Sequence, residues 1–435
     1  MRLLNLYNLP EAVLHVDGDC FFASCEVAKD HRLKGRPVIT GRERGIISSL
    51  TYEAKAMGIT RAMTLVEAKK ICPQVIILPS DYESYSLYSI RMYDIIRRVT
   101  SAVEEYSIDE GFANLTGLRR PMNMSYEEMG ALIQKNLYLE LGVSFSVGLA
   151  PSKTLAKVAS KWQKPAGYTI IRGREIGSFL SKLDVEGVWG IGKQTANFLR
   201  KKRLNTAFDF ASKSEEWIKK NLTKPHFETW QELRGEYIYK VDDTKKKSYK
   251  SISKTKTFTP PSSIKMYVHS QLSKNIENAC IKARRYNLSA KSFFFFLKTQ
   301  DFHCDGFEIK MSTPTNTPSD FLNILDKYFD KIFSSNKLYR ATGITLLQLS
   351  CHNSCQLDIF GASLKTQNFK KVFGSLEEIN KKYGKHTLFL ASSLNAMNAN
   401  EYVDLRKVKS ERKENLFFDE TTRKRLALPM LGFVK

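Results

Sequence analysis

Two short apolar runs that end in carboxylates constrain this chain more than any other feature: Val13–Phe22 (VLHVDGDCFF) and Tyr106–Phe112 (YSIDEGF). Most of a domain's length of chain lies between them, so no local ion-binding loop can join them and tertiary structure has to. A fold that gathers Asp17, Asp109 and Glu110 creates a bowl for two magnesium ions about 3.5–4 Å apart, the arrangement used for in-line phosphoryl transfer. Oxygen donors suit a hard ion, and magnesium completes its shell with water and substrate phosphates. Taken singly, Asp17, Asp19 and Asp109 read as ordinary strand-end or capping acids; taken jointly, the two clusters point to nucleotidyl transfer.

The bulk properties narrow the partner. A chain of 435 residues has room for two to four domains. Its 68 Lys and Arg against 45 Asp and Glu leave a net charge of +23, which favours a polyanion, nucleic acid before an anionic membrane surface. No apolar stretch approaches the roughly 20 residues that span a bilayer. The start MRLLNLYNLPEA lacks a signal-peptide core, so the expectation is a soluble cytoplasmic protein with no membrane partner. Seven scattered cysteines read as reduced thiols rather than a disulfide framework. The CHNSC segment at Cys351–Cys355 has no second Cys/His cluster at finger-like spacing, which speaks against zinc.

Along the chain, a buried strand is expected over Ala12–Val16, a short helix over Cys20–Ala28 and a strand near Arg36–Thr40. Helices are expected over Thr64–Ile71 and Tyr82–Val103, a strand pair through VEEYSIDEGFANL, a helix over Ser125–Leu141 and a strand over Val143–Leu149. The lysine-studded helix of APSKTLAKVASKWQKPAG stops at Pro165–Gly167, completing an α+β core around an antiparallel sheet. In VWGIGKQTANFLRKK an apolar-Gly-apolar-Gly turn runs into a basic helix, the form in which a helix-hairpin-helix offers backbone N–H groups to a phosphate; a plain αα turn is the alternative. Lys240–Lys256 carries lysines without apolar periodicity and reads as a flexible linker. Beyond it, strands alternate with helices near Met266–Tyr286 and Ser319–Phe333, a second and smaller α+β domain. Its Phe293–Phe296 run reads as a buried strand rather than a base-stacking platform, because successive residues of a strand face opposite sides.

Taken in order, VDGDCFFASCE, SLTYEAKAMGI, YSIDEGFANL, SVGLAPSKTLAKVASKWQKPAG and VWGIGKQTA resemble the Y-family, or translesion, DNA polymerases, and within them the bacterial DinB/UmuC group, from about Glu11 to Leu349. The resemblance implies a right hand: palm at 1–20 and 81–171, fingers at 21–80, a helical thumb at 172–239 with its helix-hairpin-helix near 183–204, a basic linker at 240–250, a separate α+β little finger at 251–350 and a tail at 351–435. Carried over residue by residue, Asp17, Asp109 and Glu110 are the catalytic, metal-binding carboxylates, and the carbonyl of Gly18 is a further ligand to two Mg2+. Asp19 is structural. Phe22 matches the steric gate that would collide with a ribose 2′-hydroxyl. Tyr52, Lys55 and Lys164 match the triphosphate-binding positions, with Lys55 standing where the family usually has arginine, a loss of the planar bidentate fork. Gly190, Gly192 and Lys193 match the thumb hairpin that grips the DNA backbone, and Lys153 and Lys157 are expected as palm or DNA-phosphate contacts.

Past the little finger, Gln356, Leu357, Asp358, Ile359 and Phe360 resemble the bacterial sliding-clamp-binding peptide, in which Leu357 and Phe360 would fill an apolar pocket. The tail from Gly374 looks more like the UmuC branch, that of the DNA polymerase V catalytic subunit, than the shorter DinB branch. The resemblance therefore implies an error-prone translesion polymerase of the SOS damage response, acting on primer-template DNA and dNTPs with a sliding clamp. UmuD-like accessory subunits and a RecA-type filament complete the implied partners. Two rivals remain at this level: a non-catalytic DNA-binding scaffold recruited to the clamp, and a palm-type nucleotidyl cyclase, which would need neither hairpin nor clamp peptide.

Overall fold

A computed structural model describes residues 9–42, 45–244, 249–351, 362–383 and 386–397, and the chain divides into two units, 1–244 and 245–435. In the first unit β1 (Val13–Gly18) leads into α1 (Phe21–Lys29), and β2 (Val38–Thr40), β3 (Ser49–Leu50), α2 (Tyr52–Ala56), α3 (Leu65–Ile71) and β4 (Ile76–Leu78) follow. Next come α4 (Tyr82–Arg97), β5 (Val103–Glu104), β6 (Glu110–Asn114), α5 (Arg119–Met122), α6 (Tyr126–Leu141), β7 (Phe145–Ala150), α7 (Lys153–Trp162) and β8 (Tyr168–Ile170). The palm sheet runs β5-β6-β1-β7-β8, which makes β1 its central strand.

That position explains why β1 is buried on both faces. Leu14 and Val16 pack with Met92 of α4 and Ile133 and Leu137 of α6; Val13 packs on the other side with Leu155 and Ala159 of α7. By alternation, His15 and Asp17 share the α7 side with Val13. A capping box at Ser125 and Glu128 starts α6, and Gly142 in the left-handed conformation ends it. Gly148 of β7 lets α7 approach closely: a Cβ there would lie 2.1 Å from the Ala156 carbonyl oxygen and 2.3 Å from the Ser160 nitrogen.

Two expectations need correction. The sheet is not wholly antiparallel, since β7 and β8 run parallel; α7 bridges them, and a crossover returns the chain in the same direction. The helix expected over Tyr82–Val103 ends at Arg97. Past it, the Thr100 hydroxyl donates to the Asn114 carbonyl at 2.8 Å and ties the chain to β6 instead of to another helical turn.

The fingers are a three-stranded sheet, β3-β2-β4, over a small core of Ile39, Ile47, Ala54, Ile59 and Ala68. A capping box between Thr64 and Glu67 starts α3. The thumb comprises α8 (Ile176–Lys182), α9 (Lys193–Lys201), α10 (Ala207–Ala211), α11 (Glu215–Asn221) and α12 (Lys224–Leu233). Its core is continuous with the α7 side of the palm through Leu199, Phe210 and Trp230.

The second unit holds β9 (Ile252–Ser262), α13 (Lys265–Arg285), β10 (Leu288–Thr299), β11 (Cys304–Thr315), α14 (Pro318–Ile332) and β12 (Tyr339–Cys351), with the strands in the antiparallel order β11-β10-β12-β9. Strand β9 takes in lysines that read as linker: Lys254 pairs with Ile344 and Lys256 with Thr342. Phe293 and Phe295 are fully buried, whereas Phe294 and Phe296 lie half-buried and stacked on each other at 6.0 Å. Unforeseen in the sequence, α15 (Ala362–Tyr383) and α16 (Leu394–Met397) belong to this unit too. Arg284 pairs with Glu377 at 2.6 Å, and the Ala396 amide donates to Ser270 at 2.8 Å, so the segment seats against α13. The clamp-like peptide at 356–360 lies outside the described residues. Among the described residues no helix is long and apolar enough to cross a membrane.

Candidate active site

The register of the central strands does what the sequence spacing demanded. Asp17 of β1 pairs with Glu110 of β6, and the Gly18 amide donates to the Asp109 carbonyl at 2.8 Å. Tyr93 and Ser107 shape the approach: the Tyr93 hydroxyl lies 2.6 Å from the carbonyls of both Ser107 and Glu110, and the Ser107 hydroxyl donates to the Asp109 carboxylate. Within the described residues, the group whose ligand atoms fall within 4.8 Å of one another is His15, Asp17 and Glu110. Asp109 is joined to it through the backbone, with its carboxylate on Ser107.

Cations from the loop and helix after β7 already neutralise the bowl. Lys164 sits 2.7 Å from Asp17 and 3.4 Å from Asp19, and Lys157 of α7 sits 2.9 Å from Glu110. Burial alone would raise the Glu110 carboxyl, but hydrogen bonding to His15 and Lys157 outweighs it and holds the group down at about 2. Asp19 is 1 % exposed and fully engaged, accepting from the Ser146 hydroxyl and the Ala166 amide, so it braces the turn rather than facing substrate.

Phe22 lies in the first turn of α1, where its ring stacks on Tyr85 at 4.5 Å and meets Tyr82 edge-on at 5.4 Å. Tyr85 is pinned by its hydroxyl to Glu26 at 2.8 Å, so the ring at position 22 has a fixed backing. Tyr52 opens α2, and burial together with nearby Asp19 pushes its phenol up. Lys55 lies over the Tyr52 ring at 4.2 Å, with its ammonium exposed. In the thumb, Gly190 adopts φ +92° and Gly192 caps α9, which Lys193 begins; a Cβ at Gly192 would meet nothing within 4 Å. Lys153 pairs with Glu104 and is nearly buried, a palm contact as expected.

Sequence reading missed the part played by His15, Lys157 and Ser160. It assigned oxygen donors alone to the bowl, yet a buried imidazole stands beside them, its Nε2 3.3 Å from Glu110 and without an aligned hydrogen-bond partner. The signals were present: His15 interrupts an apolar strand two residues before Asp17, on the same face, and Lys153, Lys157 and Lys161 recur at helical spacing. The donor set fits a divalent ion at the adjacent carboxylates of Asp17 and Glu110, while the Asp109 carboxylate, held on Ser107, lies outside that close group.

Residues 16–161 match the impB/mucB/samB family and residues 249–359 match that family's C-terminal domain. Among curated proteins, DNA polymerase IV 1 of Bacillus subtilis (strain 168) is 30% identical over 378 residues, spanning 86% of this chain and 90% of the relative. DNA polymerase IV of Lactococcus lactis subsp. cremoris (strain SK11) is also 30% identical, over 77% of this chain and 93% of its own length. Among solved structures, a Y-family DNA polymerase chimera of Dbh and Dpo4 superposes with a TM-score of 0.65 at 22% identity, covering 78% of this chain and 98% of that one. An insertion ternary complex of Dbh DNA polymerase gives 0.53 at 24% identity, covering 77% of this chain and 98% of that one.

Fold, bowl and relatives together define a DNA-directed DNA polymerase. The chain belongs to the Y family of translesion polymerases, in the lineage of DNA polymerase IV. These relatives are of the DinB type, so the leaning toward the UmuC branch finds no support in them.

Proposed function

We propose that this polymerase extends a primer 3′ end opposite damaged template bases by two-metal nucleotidyl transfer, with Asp17, Asp109, Glu110 and the Gly18 carbonyl holding two Mg2+. The observation that carries the reading is the Asp17–Glu110 register, which sets both acidic clusters at one end of the palm sheet. When bound, the ions would lower the pKa of the primer hydroxyl and offset charge on the triphosphate. The 3′ hydroxyl would give up its proton to solvent as its oxygen attacks the α-phosphorus, and the bond from that phosphorus to the β-phosphate oxygen would break as pyrophosphate leaves. Lys164, whose ammonium already stands in the bowl, and Tyr52 and Lys55 on α2 would bind the triphosphate and stabilise charge on the departing pyrophosphate. Phe22, backed by Tyr85, would occupy the space a ribose 2′-hydroxyl needs. Gly190, Gly192 and Lys193 would hold the DNA backbone at the start of α9.

The wider assignment follows the same reading. Gln356, Leu357, Asp358, Ile359 and Phe360 would dock on the sliding clamp in the cytoplasm, and the polymerase would serve the SOS response. The UmuC-like partners, a UmuD-like subunit and a RecA-type filament, rest on the tail alone. The test is primer extension with Mg2+ on undamaged and abasic templates, comparing wild type, Phe22→Ala and the Asp109→Ala/Glu110→Ala pair, with rNTPs in parallel. Wild type should cross the lesion with dNTPs only, Phe22→Ala should admit rNTPs, and the acid pair should bind DNA without extending. Extension by the acid pair at the wild-type rate would refute the assignment.

A further inference from the structure

His15 is a bowl side chain that the polymerase reading leaves without work. It is fully buried, its ring packed against Phe112 at 4.6 Å, so it cannot turn away. Its Nδ1 lies 2.7 Å from the hydroxyl of Ser160, itself 1 % exposed, and its Nε2 points at the second oxygen of Glu110, at 3.3 Å. Lys157 occupies the first oxygen, at 2.9 Å. Three groups therefore follow one another from α7 through β1 to β6: the Ser160 hydroxyl, the imidazole, and the Glu110 carboxylate.

Proton counting orders the line. The Ser160 hydroxyl has one proton and two takers, His15 Nδ1 and the Lys157 carbonyl at 3.1 Å. That carbonyl already faces the amide four residues on in the helix. If the proton went to it, Nδ1 would have to be the protonated nitrogen, and a bare Nε2 would face a carboxylate in a buried site, acceptor against acceptor. If the proton goes to Nδ1, Nε2 carries a hydrogen toward Glu110, and a donor faces an acceptor at each step.

We propose that His15 is a positioning residue for Glu110: the chain Ser160 Oγ–H to His15 Nδ1 and His15 Nε2–H to Glu110 Oε2 orients the carboxylate that the metal reading assigns to the ion site. The imidazole is closed off from solvent, and acts only through Glu110. The contact, at 3.3 Å, is near rather than aligned. This inference rests on the two-metal reading. Outer partners that orient a ligating group typically change metal affinity 10–100-fold when removed.

The experiment is Mn2+ binding to the full chain, followed by loss of the free-ion EPR signal, for wild type, His15→Gln, His15→Asn, His15→Phe and Ser160→Ala. Glutamine reaches as far as Nε2 with a donor, whereas asparagine reaches only as far as Nδ1. Expected are near-wild-type affinity for His15→Gln and about 10-fold weaker binding for His15→Asn and His15→Phe. A shift in the same direction is expected for Ser160→Ala, which leaves the imidazole in place and so serves even where His15→Phe fails to fold. Equal affinity across the set, or His15→Gln falling with His15→Phe, overturns the positioning role while leaving the metal site standing. A wild type that binds no Mn2+ overturns the metal reading and this inference with it.

Discussion

Replacing Glu110 by Gln removes a carboxylate that the fold favours in its charged form, and the size of the effect follows from the site. The carboxyl is held at about 2 against an ordinary 4.5, and its side chain is only 18% exposed. Each unit of such a shift is worth about 1.36 kcal/mol, so the linkage is about 3 kcal/mol at neutral pH. The sign is that of a depressed carboxylate: the stabilisation is present in full above pH 4.5 and drains as pH falls toward 2. By pH 3 less than half remains. All four tryptophans, Trp162, Trp189, Trp217 and Trp230, lie in the first unit, so their fluorescence follows the melting of that unit alone. In EDTA at pH 7 the variant should melt roughly 6–12 °C below wild type, on about 2–4 °C per kcal/mol for a unit of this size, with the gap at least halved at pH 3. An equal melting temperature at pH 7, or a gap that does not move between pH 5 and pH 3, would refute the reasoning. In that case Lys157 and His15 would not be holding the charge.

Two further outcomes are expected. Lys55→Arg restores a planar fork over Tyr52 and should lower the KM for dNTP several-fold with little change in kcat, in steady-state single-nucleotide insertion; an unchanged KM would place position 55 away from the triphosphate. Gly148→Ala drives a methyl to within 2.1 Å of the Ala156 carbonyl, so α7 must move; a loss of about 1–3 kcal/mol in the tryptophan-monitored melt should come with weakened extension, because Lys157 and Ser160 ride on that helix.

Much of this was legible in the sequence. The apolar run of β1, the helical spacing of Thr64–Ile71 and Ser125–Leu141 and the alternation of Phe293–Phe296 are local patterns, and the elements they mark formed within a residue or two of where the patterns put them. The acids at Asp17 and Glu110 were legible as a pair because carboxylates at strand ends have few other uses together. What stayed hidden depends on chain far away. His15 reads as a polar interruption until α7 brings Ser160 against one nitrogen and β6 brings Glu110 toward the other. Strand β9 reads as linker because its lysines sit on an edge strand, where one side of the ladder is open to water. The seat of α15 and α16 on α13 hangs on Arg284, Ser270 and Ser273, none of which announces a partner more than ninety residues on.

The lysines of the bowl give the site its chemical logic. Gathering Asp17, Asp109 and Glu110 at one end of a sheet would set like charges against one another in a partly desolvated pocket, a cost that grows as the dielectric falls. Lys164 at 2.7 Å from Asp17 and Lys157 at 2.9 Å from Glu110 cancel that cost before any ion arrives, so the palm can fold around its own active site. The two pairs differ in what they can do next. Lys157 rises from α7 with its ammonium also against the rings of Tyr106 and Trp189, at 4.7 and 5.0 Å, and its side chain is only 8% exposed, so it is fixed in place. Lys164 lies beyond the end of α7 with its side chain 25% exposed, and in the proposed reaction it would exchange a carboxylate for a phosphate. The same compensation that stabilises the bowl thus leaves one cation bound to the scaffold and one that the proposed reaction would turn toward the incoming nucleotide.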